Sequence, residues 1–185
     1  MLKKTLVVAL VMASGFAHAE RNKFVLAAGL GYSVNTFDVS LDSGELETEA
    51  DNGLVTSFKI GGMINQQHAV YVARQTATVG FEVEGGNSFS GGRNSLVGVG
   101  YTFYVNPTIG SPYVEVAAGF GSYNIEDGLL DLKSSGTAFL AGAGYEINKN
   151  FQVGATYSIN ETENDNADGE SYSLTSIALK AELKI

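Results

Sequence analysis

The chain has 185 residues, with 20 acidic and 11 basic side chains, 23 glycines, two prolines and no cysteine. The acidic balance argues against a protein that binds nucleic acid. Without cysteine there is no disulfide framework, no thiolate metal site and no cysteine for a lipid anchor. Abundant glycine with scarce proline favours close-packed strands over disorder.

The N-terminal segment has the pattern of a secretory signal peptide. Two lysines precede the apolar run 6–12, and Ala17-His18-Ala19 forms a small-x-small cleavage site. The apolar run is too short to span a bilayer. The sequence therefore predicts an exported protein with a signal peptide over 1–19 and one domain over 20–185.

The stretch Thr137–Ile159 consists of two alternating runs joined by Asn148-Lys149-Asn150. In each run the residues of one face are apolar, with aromatic side chains near the ends, and those of the other face are small or polar. Successive side chains leave a strand on opposite sides, so this period of two predicts a β-hairpin. Apolar and polar faces of this kind are typical of membrane β-barrel strands, apolar towards lipid and polar towards the lumen.

The same alternation recurs along the chain and predicts an all-β fold, an eight-stranded antiparallel up-and-down transmembrane β-barrel. The hairpin above supplies strands six and seven. The other predicted strands are Lys23–Val39, Leu54–Ile64, Ala69–Val83, Ser95–Val105, Tyr113–Tyr123 and Tyr172–Ile185. In the third strand the lipid face is assigned to Ala69, Tyr71 and Ala73, which directs Arg74 into the lumen.

The connections between the predicted strands alternate in length. Four are medium or long, Ser40–Gly53, Glu84–Asn94, Asn124–Gly136 and Asn160–Ser171, and the three between them are shorter, Asn65–His68, Asn106–Pro112 and Asn148–Asn150. Outer-membrane barrels have long extracellular loops and short periplasmic turns. The parity predicts that both termini are periplasmic and that the long loops are extracellular.

Three segments carry a family resemblance: GAGYEINKNFQVGATY (142–157), SPYVEVAAGFG (111–121) and GVGYTF (98–103). They resemble the β-barrel domain of OmpA-type and opacity-type outer-membrane proteins. The resemblance implies an integral outer-membrane protein in contact with lipid and lipopolysaccharide, with a structural, envelope-integrity or adhesive role and loops that meet host or cell-surface ligands. It also implies insertion by the outer-membrane assembly machinery, although the chain ends in Ile185 rather than the family's frequent terminal aromatic residue.

Three other functions remain as alternatives. A soluble lipocalin-like barrel would place the apolar face inside, but the polar faces are rich in small residues and poor in charge, which suits a filled interior. A narrow pore or small-molecule conduit requires an open lumen. A lipid-modifying enzyme requires a nucleophile and a base near the outer leaflet, whereas His68, the one histidine after the signal peptide, falls in a predicted periplasmic turn. Neither a catalytic site nor a cofactor is predicted.

The first and last long loops are acidic and contain neither lysine nor arginine. Hard cations such as Ca²⁺ and Mg²⁺ bind carboxylates, so divalent-cation binding is one hypothesis for these loops. A solvated, charge-repelling surface is the favoured interpretation. The acidic residues are Asp42, Glu45, Glu47, Glu49 and Asp51 in the first loop, and Glu161, Glu163, Asp165, Asp168 and Glu170 in the last.

Charged residues also occur on the faces assigned to the lumen: Lys59, Arg74, Glu82, Glu115, Glu146, Lys180, Glu182 and Lys184. Buried charges are costly when unpaired but can be held in a satisfied network. Glu115 begins one predicted strand and Glu146 ends the next, which predicts two carboxylates at similar height with a cation between them. Arg74 is the favoured cation because its guanidinium can engage two carboxylates. The sequence thus predicts a salt-bridged plug in a narrow lumen.

Overall fold

The computed structural model describes residues 21–41, 44–83, 87–127, 130–164 and 171–185. They form a closed barrel of antiparallel strands in chain order, in which the last strand pairs with the first. The strands are β1 (Phe24–Leu41), β2 (Gly44–Met63), β3 (His68–Val83), β4 (Asn87–Tyr104), β5 (Pro112–Asp127), β6 (Leu130–Asn148), β7 (Phe151–Asn164) and β8 (Ser171–Lys184). The predicted fold class is confirmed, while the predicted signal peptide lies outside the described residues.

The barrel is apolar outside and polar inside. Phe120 is 79% exposed and Leu179 67% exposed on the outer wall, whereas Glu146 is 0% exposed and Lys59 5% exposed. Alternation places Lys59, for example, between the exterior apolar neighbours Phe58 and Ile60. A water-soluble barrel has the reverse arrangement, so the lipocalin-like alternative is wrong. Within the described ranges no helix has the length and apolar character needed to cross a bilayer.

The face assignment of β3 is a correction to the sequence analysis. Tyr71 and Ala73 point inward and are buried, and Arg74 is exposed on the outer wall beside Val72. The prediction that Arg74 enters the lumen is therefore wrong. Small and apolar residues occupy both faces of this strand, so hydrophobicity alone does not distinguish them.

The strands also run much further than predicted at the end opposite the termini. Leu41 pairs with Gly44, Val83 with Asn87, and Asp127 with Leu130. Most of the predicted long loops are therefore paired hairpin. Polar residues fill these extensions because neither face needs apolar side chains beyond the membrane, so the periodic signal disappears while the backbone pairing continues.

A charged lumen as the candidate functional site

Four charged side chains form a closed ring inside the lumen. Lys59 Nζ lies 2.5 Å from Glu115 Oε2 and 2.9 Å from Glu182 Oε2. Lys180 Nζ lies 2.8 Å from Glu115 Oε1 and 3.4 Å from Glu182 Oε1. We call these residues the central ring. Its two cations and two anions alternate, and all four side chains are at most 6% exposed.

Neutral side chains add hydrogen bonds to the two carboxylates. Ser57 Oγ donates to Glu182 Oε1 at 2.8 Å, and Gln152 Nε2 donates to Glu182 Oε2 at 2.6 Å. Tyr71 OH donates to Glu115 Oε2 at 3.2 Å. Buried ions are tolerated when such a network satisfies them, and a low dielectric strengthens every contact within it.

The strand registers bring the central ring together. Gly29 of β1 pairs with Ser57 on one side and with Glu182 on the other. A Cβ at Gly29 would lie 2.6 Å from Glu182 Cγ, so the ring uses the space that this glycine leaves. Glu115 is on β5, three strands from both β2 and β8, and its side chain therefore reaches across the lumen. The central ring closes the barrel from wall to wall.

A second ionic cluster lies at the end of the barrel that holds the termini. Arg21 Nη2 is 2.6 Å from Glu146 Oε2, and the Lys184 ammonium pairs with Glu146 Oε1. The Arg21 guanidinium also lies over the Tyr104 ring, 4.0 Å from its centroid. We call Arg21, Glu146 and Lys184 the terminal cluster. Because both ends of the described chain reach Glu146, this cluster joins the start and the end of the barrel.

Arg21 also binds the two turns beside it. Its Nη1 donates to the Gln66 carbonyl, to the Asn106 carbonyl at 3.0 Å and to the Pro107 carbonyl at 3.1 Å. Its Nη2 donates to the Thr108 carbonyl at 2.8 Å. These bonds use most of the donors of the guanidinium. One side chain therefore holds both turns against the mouth of the barrel.

Sequence reasoning missed Arg21 because it precedes the predicted first strand. One signal was available: Ala27, Gly29 and Ser33 point inward on β1, and the same parity extended backwards reaches position 21. The segment contains no alternating run of its own to justify that extension.

The structure divides the predicted network. Lys59, Glu115, Lys180 and Glu182 form the central ring, whereas Glu146 lies in the terminal cluster. The expected common height of Glu115 and Glu146 is wrong, because Glu115 pairs with Gly142, four residues before Glu146. Arg74 belongs to neither cluster. The side chain of Glu82 lies outside the described residues.

The other candidate residues lie apart from the lumen. His68 is on the outer wall, where its Nδ1 lies 2.5 Å from Tyr101 OH and its ring packs against Phe103 at a centroid distance of 5.1 Å. This is an exterior aromatic contact at the end of the barrel that holds the termini.

The acidic candidates for a metal site remain predictions. Glu161 is exposed. The side chains of the others, Asp42, Glu45, Glu47, Glu49, Asp51, Glu163, Asp165, Asp168 and Glu170, lie outside the described residues. Where side chains are described, no group of three or more His, Asp or Glu is placed to hold a metal ion.

Comparison with known proteins identifies the family of this barrel. The family model described as "Outer membrane protein beta-barrel domain" matches residues 5–184. The chain belongs to the outer membrane protein β-barrel family. No curated protein sequence matches it. Membership indicates that the barrel lies in the outer membrane, which agrees with its apolar exterior. The resemblance to OmpA-type and opacity-type proteins is confirmed.

Several solved structures share the fold at low sequence identity. Ail, the attachment invasion locus protein of Yersinia pestis, is 18% identical in its complex with the heparin analogue sucrose octasulfate, with a TM-score of 0.54 over 89% of this chain and 100% of that chain. Neisserial surface protein A is 14% identical, with a TM-score of 0.52 over 86% and 99%. OprG from Pseudomonas aeruginosa is 14% identical, with a TM-score of 0.52 over 92% and 99%. At these identities the likeness concerns the fold.

Proposed function

We propose that this outer-membrane barrel is a closed surface protein, with a structural or surface-interaction role in adhesion or envelope integrity. The central ring is the observation that carries the proposal, because Glu115 meets both Lys59 and Lys180 across the lumen. Moving an ion or a solute past it would require separating buried ion pairs, which costs several kcal/mol per ion. The charged lumen then stabilises the fold, and other molecules bind to the outer wall and to the hairpins.

The pore alternative gives the first experiment. Purified wild-type protein in a planar bilayer should produce no conductance steps, and Lys59→Met, which removes one cation from the central ring, should produce steps or raised leak. Lys23→Met is a control, because Lys23 is exposed and belongs to neither ionic cluster. Stable steps from the wild-type protein would support the conduit instead.

We place the termini in the periplasm and the extended hairpins outside the cell. The support is the paired extension of β1–β2 to Leu41 and Gly44, which continues well beyond the exposed apolar side chains Val34 and Leu54. Family barrels carry their longer projections on the extracellular side. The terminal cluster then closes the periplasmic mouth.

The first hairpin suggests the chemistry of a surface partner. Ail has been solved with a sulfated heparin analogue, but residues 40–53 of this chain hold five acidic and no basic residues. Like charges repel, so a sulfated polysaccharide is a poor partner and a cationic surface is a good one.

The proposal includes no catalytic role, since His68 contacts Tyr101 on the outer wall rather than a nucleophile.

The binding experiment compares cells that display the wild-type barrel with cells that display a neutralised hairpin, Glu45→Gln, Glu47→Gln, Glu49→Gln and Asp51→Asn. Wild-type cells should adhere to immobilised polylysine and to epithelial monolayers, and the neutralised variant should lose most of this adhesion. Glu126→Gln with Asp127→Asn is the control on another hairpin. Equal adhesion by all three strains would refute the assignment to the first hairpin, and salt-insensitive adhesion would refute its electrostatic basis.

A further inference from the structure

Two arginines lie on the outer wall of the barrel. Arg74 on β3 and Arg93 on β4 are both exposed. Thr78 of β3 pairs with Arg93, so the two arginines are four residues apart along the same pair of strands. Both line one open depression of about 460 Å³, together with Thr76 and Thr78. The two guanidinium groups therefore serve one surface site.

The outward residues of β3 from Thr76 to Thr78 are polar, and those nearer the termini than Arg74 are apolar. Thr76 Oγ1 lies 3.0 Å from Ser95 Oγ, and Thr78 Oγ1 accepts a hydrogen bond from Leu54 N at 2.9 Å. Towards the termini, β3 presents Val70 and Val72 outward. The depression thus reaches from the apolar band of this wall to the polar residues at the edge of the band.

The depth of Arg74 makes this arrangement unusual. From His68, six tilted strand residues place Arg74 about 15 Å along the barrel axis, and four more place the row of Arg93 about 25 Å along it. The apolar band of such barrels is about 25 Å tall. Arg74 therefore lies within the band and Arg93 at its outer edge. An arginine on a lipid-facing wall is destabilising unless its charge is compensated.

Nothing in the described part of the chain compensates either charge. Neither guanidinium has a hydrogen-bond or ion-pair partner there. The large side chains level with Arg74 are apolar: Phe58 on β2 and Val97 on β4 pair with it directly, and Phe120 pairs with Val97. Each is exposed on the wall. Among the described side chains the site therefore has no carboxylate partner, and it adjoins a surface that fits acyl chains.

We infer that Arg74 and Arg93 bind the phosphate group of a phosphorylated glycolipid in the outer leaflet. Guanidinium groups engage phosphate through paired N–H donors. Thr76 and Ser95 share one hydrogen bond, so the hydroxyl that does not donate in it adds one further donor. The acyl chains pack on Phe58, Val97 and Phe120, which lie level with Arg74. The assignment to the outer leaflet rests on the orientation proposed above, whereas the phosphate site itself does not.

The experiment uses folded, purified protein in neutral detergent and counts bound lipid by native mass spectrometry. The lipid probes are lipid A with both phosphates and the same lipid with its phosphates removed. Wild-type protein should retain phosphorylated lipid A at least tenfold more than the dephosphorylated form. Arg74→Gln with Arg93→Gln should abolish that preference, and Arg74→Lys with Arg93→Lys should keep part of it. Lys23→Gln, which neutralises an exposed lysine at the other end of the barrel, should bind as wild type does.

Three results would overturn the inference: equal retention of the two lipids by wild-type protein, full retention by the double glutamine variant, or an equal loss in Lys23→Gln. The first needs no variant and so does not depend on whether a variant folds. Millimolar inorganic phosphate should not displace the lipid, and displacement would show a site for free phosphate rather than for lipid. Because the assay measures neither adhesion nor conductance, its failure is separate from failure of the proposed function.

Discussion

At the scale of single residues, the lumen shows how one lysine can hold two carboxylates. Lys59 contacts Glu115 and Glu182 directly, and Lys180 makes the same two contacts from the other side. Each carboxylate therefore has two cations, and each cation has two carboxylates. A gap at any position leaves like charges close together with half of their compensation.

The first prediction compares a ring cation with an exterior one. Lys59→Ala leaves Glu115 and Glu182 sharing Lys180 alone, and should lower the free energy of unfolding by about 3–5 kcal/mol, as is typical of a broken buried ion pair. Arg74→Ala should cause no loss, because Arg74 lies outside the lumen. Urea titration in lipid vesicles, followed by circular dichroism, measures both. A loss in Arg74→Ala equal to that in Lys59→Ala would contradict the placement of β3.

The second prediction concerns space beside the central ring. A Cβ at Gly29 would lie 2.4 Å from Ser57 Oγ and 2.6 Å from Glu182 Cγ. Gly29→Ala should therefore displace a ring carboxylate and cost about 1–3 kcal/mol, as overpacking does. Gly62→Ala is the matched control, since its Cβ would meet only the Lys23 carbonyl oxygen, at 3.5 Å. The same urea titration tests the pair, and equal stability of the two variants would show that the ring yields to a methyl group.

At the scale of strands and turns, the face of a strand is predictable from sequence only where its two sides differ in polarity. On β2, Phe58 and Ile60 flank Lys59, and the period-two pattern assigns the faces correctly. On β3, Tyr71 and Val72 are both apolar, and the interior position of Tyr71 depends on its hydrogen bond to Glu115, a contact that periodicity does not contain. The same limit applies to heights: whether Glu115 is level with Glu146 depends on inter-strand register.

The third prediction tests the terminal cluster. Arg21→Gln removes the donors that hold the turns 64–67 and 105–111, and leaves Glu146 with Lys184 alone. It should lower stability by about 1.5–3 kcal/mol, the range for hydrogen bonds to a charged group. Amide hydrogen exchange should become faster in these two turns and remain unchanged in the β1–β2 hairpin. Lys23→Gln is the control, because Lys23 is exposed. Unchanged exchange at Asn106 and Thr108 in Arg21→Gln would show that the turns are held by other contacts.

At the scale of the whole molecule, strand number and closure follow from the sequence, because seven of the eight strands have two clearly different faces. The height of the barrel does not follow, since polar hairpins carry no apolar signal. The orientation in the membrane depends on family precedent rather than on contacts within the chain.

The fourth prediction concerns that orientation. An epitope inserted within residues 165–170, in the connection between β7 and β8, should be stained by antibody on intact cells. The same epitope between Lys149 and Asn150 should be stained only after the outer membrane is permeabilised. Extended hairpins lie outside and short turns inside in family barrels. Staining of the second site on intact cells would reverse the orientation and move the site of Arg74 and Arg93 to the inner leaflet.

The paired extension of β1–β2 also has a thermodynamic consequence for recognition. A flexible loop loses conformational entropy when a partner orders it, at about 1–2 kcal/mol for each backbone residue fixed. Backbone pairing as far as Leu41 and Gly44 has already ordered most of this hairpin. A partner that binds the outer surface of this hairpin therefore meets a preorganised surface. A larger share of the contact free energy then contributes to affinity. Substitutions along that surface can then change which partner binds without changing the conformational entropy that is lost on binding.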